Sequence, residues 1–229
     1  MRRLLLSIFL LGGLAVTASG QTGKITLIPD TSYSQRDTFV TISIVADANL
    51  TNVKALQLDL DVTSAVIFAD TAHITMGSLF VNNADSTFFY RYLSPDKSRL
   101  TLDFAVIGDG KMKAGPGTIA TVRYKTVGFG QSDIAIASYK LRDSSNQAMP
   151  LLVENAWVKV CRYVGDINGD NRIDLADLSW LVSYLTTAAP VPTPLASANT
   201  NCFGIVDLAD LSLLVAYLTT GYPICKLCL

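Results

Sequence analysis

One twelve-residue stretch carries oxygen in a pattern suited to holding a cation. Counted from Asp166, side-chain oxygens fall at positions 1, 3, 5, 9 and 12, which are Asp166, Asn168, Asp170, Asp174 and Asp177, while Arg172 at position 7 offers its backbone carbonyl. Hard oxygen donors at this spacing enclose a hard cation, calcium, at about 2.3 to 2.6 Å. The twelfth position holds Asp in place of the usual Glu, and the sixth holds Asn171 in place of Gly. Asn tolerates the left-handed backbone that the turn requires, so the loop survives the change. The competing reading is an acidic surface turn that does no more than cap a helix.

A second copy begins 33 residues later. Aligned on Asp207 and Asp210, it puts Asn199, Asn201 and Phe203 at positions 1, 3 and 5 and keeps Gly204 at position 6. Four carboxylates have become two, and a phenyl ring cannot coordinate calcium. This second site, made of Asn199, Asn201, Asp207 and Asp210, is therefore expected to be weak or empty. Packing is expected to take the place of the metal, with Phe203 turned inward and Cys202 tied by a disulfide.

The segments after the loops are nearly the same. "DLADLSWLVSYLTT" and "DLADLSLLVAYLTT" differ only at Trp180 against Leu213 and at Ser183 against Ala216. Leu178, Leu181, Val182 and Leu185 form an apolar helical stripe, matched by Leu211, Leu214, Val215 and Leu218. A helix of about a dozen residues is marginal alone, so each copy needs the other. Between repeats 166–187 and 199–220 lies a connector, 188–198, in which Pro190, Pro192 and Pro194 make a helix improbable.

The rest of the mature chain is organised differently. From Lys24 to Val160 the apolar residues alternate: Val40, Ile42 and Ile44; Leu56, Leu58, Leu60 and Val62; Leu100, Leu102, Phe104 and Val106; Ala120, Val122 and Tyr124; Ala156, Val158 and Val160. Alternation places one face of each strand in a core and the other in water. Turn-forming groups such as Ser-Pro-Asp-Lys and Gly-Pro-Gly separate the strands, and no helical pattern intervenes, so residues 21–160 read as an antiparallel jelly-roll β-sandwich. The whole is mainly β, with a small α-helical duplicated loop–helix module over residues 161–229.

No catalytic constellation is legible in the sandwich. His73 is the only histidine, and Asp59, Asp61 and Asp103 lie on outward strand positions where carboxylates are ordinarily solvated. A glycosidase would need two carboxylates flanking a cleft, and nothing singles out such a pair. The chain is therefore read as no enzyme. Phe88, Tyr90 and Tyr92 share one side of a strand, with Phe89 and Arg91 on the other. One set must fill the core, and the other would lie on an exposed face as a protein anchor.

Arg2 and Arg3, the apolar run from Leu4 to Val16 and the small residues Ala18-Ser19-Gly20 read as a secretory signal peptide over residues 1–20, too short for a membrane span. The product is expected to be secreted, with no membrane attachment after cleavage. Residues 21–160 carry thirteen basic and thirteen acidic side chains, and 161–229 carry three and six. That leaves no basic face for nucleic acid. All four cysteines, Cys161, Cys202, Cys225 and Cys228, lie in the C-terminal part, where three disulfide pairings are open. Cys225 and Cys228 have neither the βαβ surroundings of a redox pair nor the spacing of a zinc site.

The stretch "KITLIPDTSYSQRDTFVTISIVADANLTNVKALQLDLDVTSAVI", with "GTIATVRYKTVGFGQSDIAIASYKL" and "ENAWVKV", resembles a cohesin domain. That resemblance implies a nine-stranded jelly roll that receives a dockerin on one sheet face. The duplicated loop–helix units, lacking entering helices, resemble a type I-like dockerin. By that resemblance partner recognition lies at loop positions 10 and 11 and helix positions 17 and 18: Leu175, Ala176, Val182 and Ser183, mirrored by Leu208, Ala209, Val215 and Ala216. Near-identity of the two sets would let either copy face the partner.

The two resemblances together imply a calcium-dependent assembly or adaptor protein. Its partners would be exported proteins bearing dockerins or cohesins, or a second copy of itself, in the context of polysaccharide breakdown. The alternative is carbohydrate binding by the sandwich, which requires exposed coplanar aromatics such as Trp157 or the Phe88–Tyr92 strand.

Overall fold

The computed structural model describes residues 22–81 and 86–225. The expected signal peptide, residues 1–20, and Cys228 lie outside the described residues. Among those described, no helix is long and apolar enough to cross a membrane.

Twelve strands precede two helices among the described residues. The strands are β1 (Gly23–Ile28), β2 (Thr31–Gln35), β3 (Phe39–Ala46), β4 (Ala55–Val62), β5 (Val66–Phe68), β6 (Ile74–Met76), β7 (Ser86–Leu93), β8 (Arg99–Ile107), β9 (Gly117–Thr126), β10 (Gly130–Arg142), β11 (Leu151–Glu154) and β12 (Ala156–Cys161). They form two sheets, one ordered β11-β1-β3-β9-β5 with β6 also on β9, the other β2-β12-β10-β4-β8-β7. The sandwich thus has more strands than the nine implied by resemblance. It is also not wholly antiparallel, because β1 pairs with β11 and β2 with β12 in parallel. Short early strands reach across to the far end of the chain and close both sheet edges against it.

The core follows the alternation. Ile25 and Leu27, Ile42 and Ile44, Leu56, Leu58 and Leu60, Leu100, Leu102 and Phe104, and Val158 and Val160 are all buried between the sheets. Phe104 sits between two rings, 4.7 Å from Phe80 and 4.8 Å from Phe89. Stacking Phe89 on Phe104 commits that side of β7 to the core. By the period of the strand, Phe88, Tyr90 and Tyr92 must then face out. Tyr124 is fully buried on β9, and its hydroxyl meets Ser32 Oγ at 3.1 Å. Burial pushes that phenol above its usual range.

The helices α1 (Leu175–Thr187) and α2 (Leu208–Thr220) have 13 residues each. Asp174 and Asp207 begin them through reciprocal capping boxes with Asp177 and Asp210. Leu181 and Leu214 are fully buried between the helices with Ile167 and Ala198, and Leu178, Leu185, Leu211 and Leu218 pack around them. Val182 and Val215, expected in the apolar stripe, are instead about two-fifths exposed, at 41% and 39%. The connector holds a single 3-10 turn, Leu195–Ala198, after Pro194.

β4 lies inside its sheet, between β10 and β8, and Leu58 on it has no exposure. Leu58→Ala should cost the sandwich about 2 to 5 kcal/mol, whereas Leu152→Ala, on a half-exposed side chain, should change stability by less than about 0.5 kcal/mol. Denaturant unfolding followed by tryptophan fluorescence checks both.

Candidate functional site

The first loop wraps its own backbone onto its carboxylates. Asp166 Oδ1 accepts from Gly169 N–H at 2.9 Å, and Asp166 Oδ2 from Asn171 N–H at 3.3 Å. Asn168 Oδ1 accepts from Asp170 N–H and Asp170 Oδ1 from Arg172 N–H, each at 2.9 Å. Asp177 Oδ1 takes the N–H groups of Ile167 and Asn168 at 2.7 and 3.0 Å, and its Oδ2 takes that of Asp174 at 2.9 Å. The side chains of Asp166, Asn168, Asp170 and Asp177 thus already hold the loop's own backbone, while Asp174 Oδ1 accepts instead from Ala176 N–H at 2.7 Å, at the start of the helix. Among the described residues, no group of three or more His, Cys, Asp or Glu converges as a metal cluster. Asn168 Nδ2 donates to Asp170 Oδ2 at 3.1 Å, so that pair is engaged with itself.

The donor set nevertheless fits a hard cation. All candidate ligands are oxygens, and two are carboxylates removed from water, Asp166 at 3% and Asp177 at 0% relative exposure. Burial raises the pKa of both, and the nearby N–H groups offset it only in part. Asp166 also feels Asp177 as a like charge and Arg162 as an opposite one. Neither carboxylate is in an ion pair among the described residues. Two buried negative charges without a bound cation are costly, and a divalent ion removes that cost.

The second loop keeps the backbone and loses the ligands. Asp174 and Asp207 cap their helices at φ −144° and −145°, and Asn171 and Gly204 take φ 70° and 69°. Asp210, with no exposure, accepts from Asn201 N–H at 3.1 Å and Asp207 N–H at 2.9 Å. Where loop one has Ile167, the buried Thr200 hydroxyl donates to Asp210 O at 2.8 Å. Phe203 corrects the sequence expectation: it does not turn inward but is 83% exposed. Its N–H is held by the side-chain oxygens of Asn199 and Asn201, and this geometry points the ring away from the core. Cys202 is tied, to Cys225, closing a chain segment whose cross-linking contributes about 3 kcal/mol in the loop-entropy account. Cys161 is disulfide-bonded as well.

Both expected partner sets on the helices are open to solvent. Leu175 and Leu208 are 70% and 69% exposed, and Val182 and Val215, seven residues further along the same faces, are 41% and 39% exposed. Ala176 and Ala209 are exposed, and Ser183 and Ala216 are half-buried. The two loops that flank these faces differ, with Asp170 and Arg172 on one and the exposed Phe203 and Ile205 on the other.

On the sandwich, Phe88, Tyr90 and Tyr92 stand about half exposed in a row on β7, the edge strand. Behind them a trough of about 320 Å3 runs over Ala55 and Ala105 to Lys140 and Arg142. Its floor is tied by Gln57 Nε2 donating to Asp103 Oδ1 at 2.7 Å. The neighbouring carboxylates are engaged rather than merely solvated. Asp59 accepts from the Thr101 and Ser138 hydroxyls, and Asp61 from Arg99. Sequence reasoning missed Lys140 and Arg142, because strict alternation from Ile134 and Ile136 would put both on the inner face; the bulge between Ile136 and Ser138 turns them outward and Leu141 inward. His73 has Asp70 Oδ1 2.8 Å from its Nδ1 and stacks on Phe39. Trp157 meets Tyr33 edge-on, at 5.8 Å and 81°, so these two rings form no flat platform.

No family profile matches the sequence, and no curated protein matches it. Solved structures do match. A non-cellulosomal cohesin from the archaeon Archaeoglobus fulgidus superposes with a TM-score of 0.51 at 12% identity, covering 62% of this chain and 93% of that one. The second type II cohesin module of the adaptor scaffoldin ScaA of Acetivibrio cellulolyticus gives 0.51 at 12% identity, covering 60% and 90%. A structure of the third cohesin of ScaC with the ScaB dockerin, from the same organism, gives 0.50 at 18%, covering 61% and 99%. What these likenesses carry is the fold: over roughly 60% of its length the chain has the cohesin fold.

The raised pKa values of Asp166 and Asp177 fix the sign of a pH effect. In the cation-free chain the folded module holds protons that the unfolded chain has released, so stability falls as pH rises through the window above the ordinary carboxylate range. In chelator, the melting temperature of the helices should therefore rise as pH is lowered from neutral toward that range. With saturating calcium the trend should reverse, because protons compete for the ligands. Circular-dichroism melts at a series of pH values measure both.

Proposed function

We propose that this chain is an exported, non-catalytic assembly protein. Its cohesin-fold sandwich receives one partner on the β7–β8–β4 face, while its calcium-dependent C-terminal module, of dockerin type, plugs into another. The observation that carries this reading is the pair of exposed apolar helix faces, Leu175 with Val182 and Leu208 with Val215. Each copy keeps the same side chains in water although neither needs them for its core. Repeated, rigidly mounted apolar residues ringed by small ones suit a protein interface better than a soluble surface.

Calcium belongs in the first loop, held by Asp166, Asn168, Asp170, Asp174 and Asp177 with the Arg172 carbonyl, where it would neutralise the buried carboxylates and fix the start of α1. The second loop, with Asn199, Asn201, Asp207 and Asp210, binds weakly or not at all. There the Cys202–Cys225 disulfide and the Thr200 hydroxyl supply the order. On the sandwich, Phe88, Tyr90 and Tyr92 act as anchors and Lys140 and Arg142 as cationic margins of the partner surface. The structures matched include cohesin–dockerin complexes, so exported proteins with dockerins or cohesins are the expected partners, and polysaccharide breakdown is the setting that the resemblance implies.

The test is a calorimetric titration of residues 21–160 with residues 161–229, in calcium and in chelator, beside titrations with soluble and insoluble polysaccharides. Protein binding that needs calcium and is weakened at least tenfold by Tyr90→Ser, or by Leu175→Asp together with Leu208→Asp, supports the reading. Each Leu→Asp change alone should cost much less, since the other copy can serve. Binding of polysaccharide by the sandwich, with no protein module bound, would overturn it in favour of the carbohydrate-binding alternative.

A further inference from the structure

The join between the two parts of the chain is short and built. β12 ends at Cys161, paired in parallel with Gln35 at the end of β2. The next residue on each strand is therefore an arginine, Arg162 beside Arg36. Both guanidinium groups lie against one ring, Phe129 in the β9–β10 turn, with Arg162 Cζ at 4.7 Å and Arg36 Cζ at 5.7 Å from its centroid. The Nε of Arg162 is buried without a hydrogen-bond partner, and that of Arg36 has only the Asp37 carboxylate, at 3.7 Å. These side chains are thus held by the ring and by what surrounds them, and one thing that surrounds Arg162 is the first loop. A Cβ on Gly169, at loop position 4, would fall 1.8 Å from the Arg162 guanidinium. Arg162 also donates to the Thr193 carbonyl of the connector.

A second tie crosses the same join. Asn171 Nδ2 donates to the carbonyl of Arg36, on the sandwich, at 3.0 Å. Asn171 occupies the left-handed position of the loop, where glycine is the residue of least strain. The second loop shows the unconstrained choice: Gly204 has the same φ within one degree and nothing within 4 Å of where its Cβ would be. Position 4 shows the converse. The second loop tolerates a side chain there, Cys202 at φ 57°, whereas the first has Gly169, over which Arg162 lies. Both of these departures occur at the join: Asn171 meets Arg36 of the sandwich, and Gly169 makes room for Arg162, which follows β12 and lies on Phe129 of the sandwich.

We propose that the first loop is also a latch. The divalent cation that orders it sets Asn171 and Gly169 against Arg36 and Arg162, so cation binding fixes the C-terminal module onto the end of the sandwich and cation loss releases it. This rests on the calcium reading of the loop. It gives the two partner surfaces a fixed mutual orientation only when the cation is bound. Because such coupling is reciprocal, loosening the join from the sandwich side must weaken cation binding at a loop it does not touch.

The experiment uses the full mature chain, the Asn171→Gly variant and the Phe129→Ala variant. Calcium affinity is measured by calorimetry, and maximum dimension by small-angle X-ray scattering in calcium and in chelator. The wild type should be compact in calcium and longer in chelator. Asn171→Gly should still take up calcium, glycine being at ease in that turn, yet lose most of the calcium-dependent compaction. Phe129→Ala should weaken calcium binding about fivefold or more. Calcium uptake with the same dimensions in calcium and chelator, or compaction unchanged by Asn171→Gly, would overturn the latch and leave the calcium reading standing. No calcium uptake by the wild type would overturn both.

Discussion

Two carboxylates shut away from water, Asp177 and Asp210, set the geometry of everything after residue 165. Each closes a loop onto the start of its helix by accepting the N–H of the helix cap with one oxygen and N–H groups from the beginning of the loop with the other. A charged acceptor bound to backbone donors contributes roughly 1.5 to 3 kcal/mol, and here one side chain serves two ends of a turn. The difficulty is the charge itself, which must be compensated once water is excluded. The first loop adds Asp166, also buried, and so gathers two such charges, which the proposed cation would compensate. The second loop replaces Asp166 with Asn199, adds the Thr200 hydroxyl and fastens Cys202 to Cys225. The duplicated helices can then be alike while their loops are not, because the helix pair needs two fixed starts and is indifferent to how each is fixed.

The sandwich meets a different constraint, the need to hold an aromatic row in water without losing it to the core. Phe104 answers this by taking Phe89 on one side and Phe80 on the other. With Phe89 committed inward, strand period alone turns Phe88, Tyr90 and Tyr92 outward. Next to this row, the outer-face carboxylates are held by hydroxyls, Gln57 and Arg99, and Lys140 and Arg142 stand with Asp103 along the trough. Carboxylates already held by hydrogen bonds lose little freedom on binding.

Alternation made the inner strands legible from sequence, since Leu56, Leu58 and Leu60 or Leu100, Leu102 and Phe104 can serve one core face only. Loop spacing and duplication did the same for the C-terminal repeats. What escaped was non-local. The parallel pairings of β1 with β11 and β2 with β12 join segments more than a hundred residues apart, and their short strands leave no periodic trace. Phe203 was misjudged because an apolar side chain in a loop reads as a core residue, whereas its own backbone N–H, bound by Asn199 and Asn201, decides where it points. Val182 and Val215 fit a helical stripe on paper. The pair of helices is too small to cover so wide a face, and Leu181 and Leu214 fill the contact without them. The arginines at the join, unremarkable in sequence, acquire meaning only when β2 and β12 bring their ends together.

The account stands on a bound cation that carries the order of the C-terminal module. Amide hydrogen exchange on the full chain, read at Leu181 and Leu214 in α1 and α2 and at Leu58 and Leu102 in the sandwich, addresses it directly. The account predicts that chelation collapses protection across α1, lowers it at α2 where the disulfide still holds, and leaves the sandwich amides as slow as before. Protection of α1 that is the same in calcium and in chelator would contradict it, and the buried carboxylates of the first loop would then have to be stabilised by the protein alone.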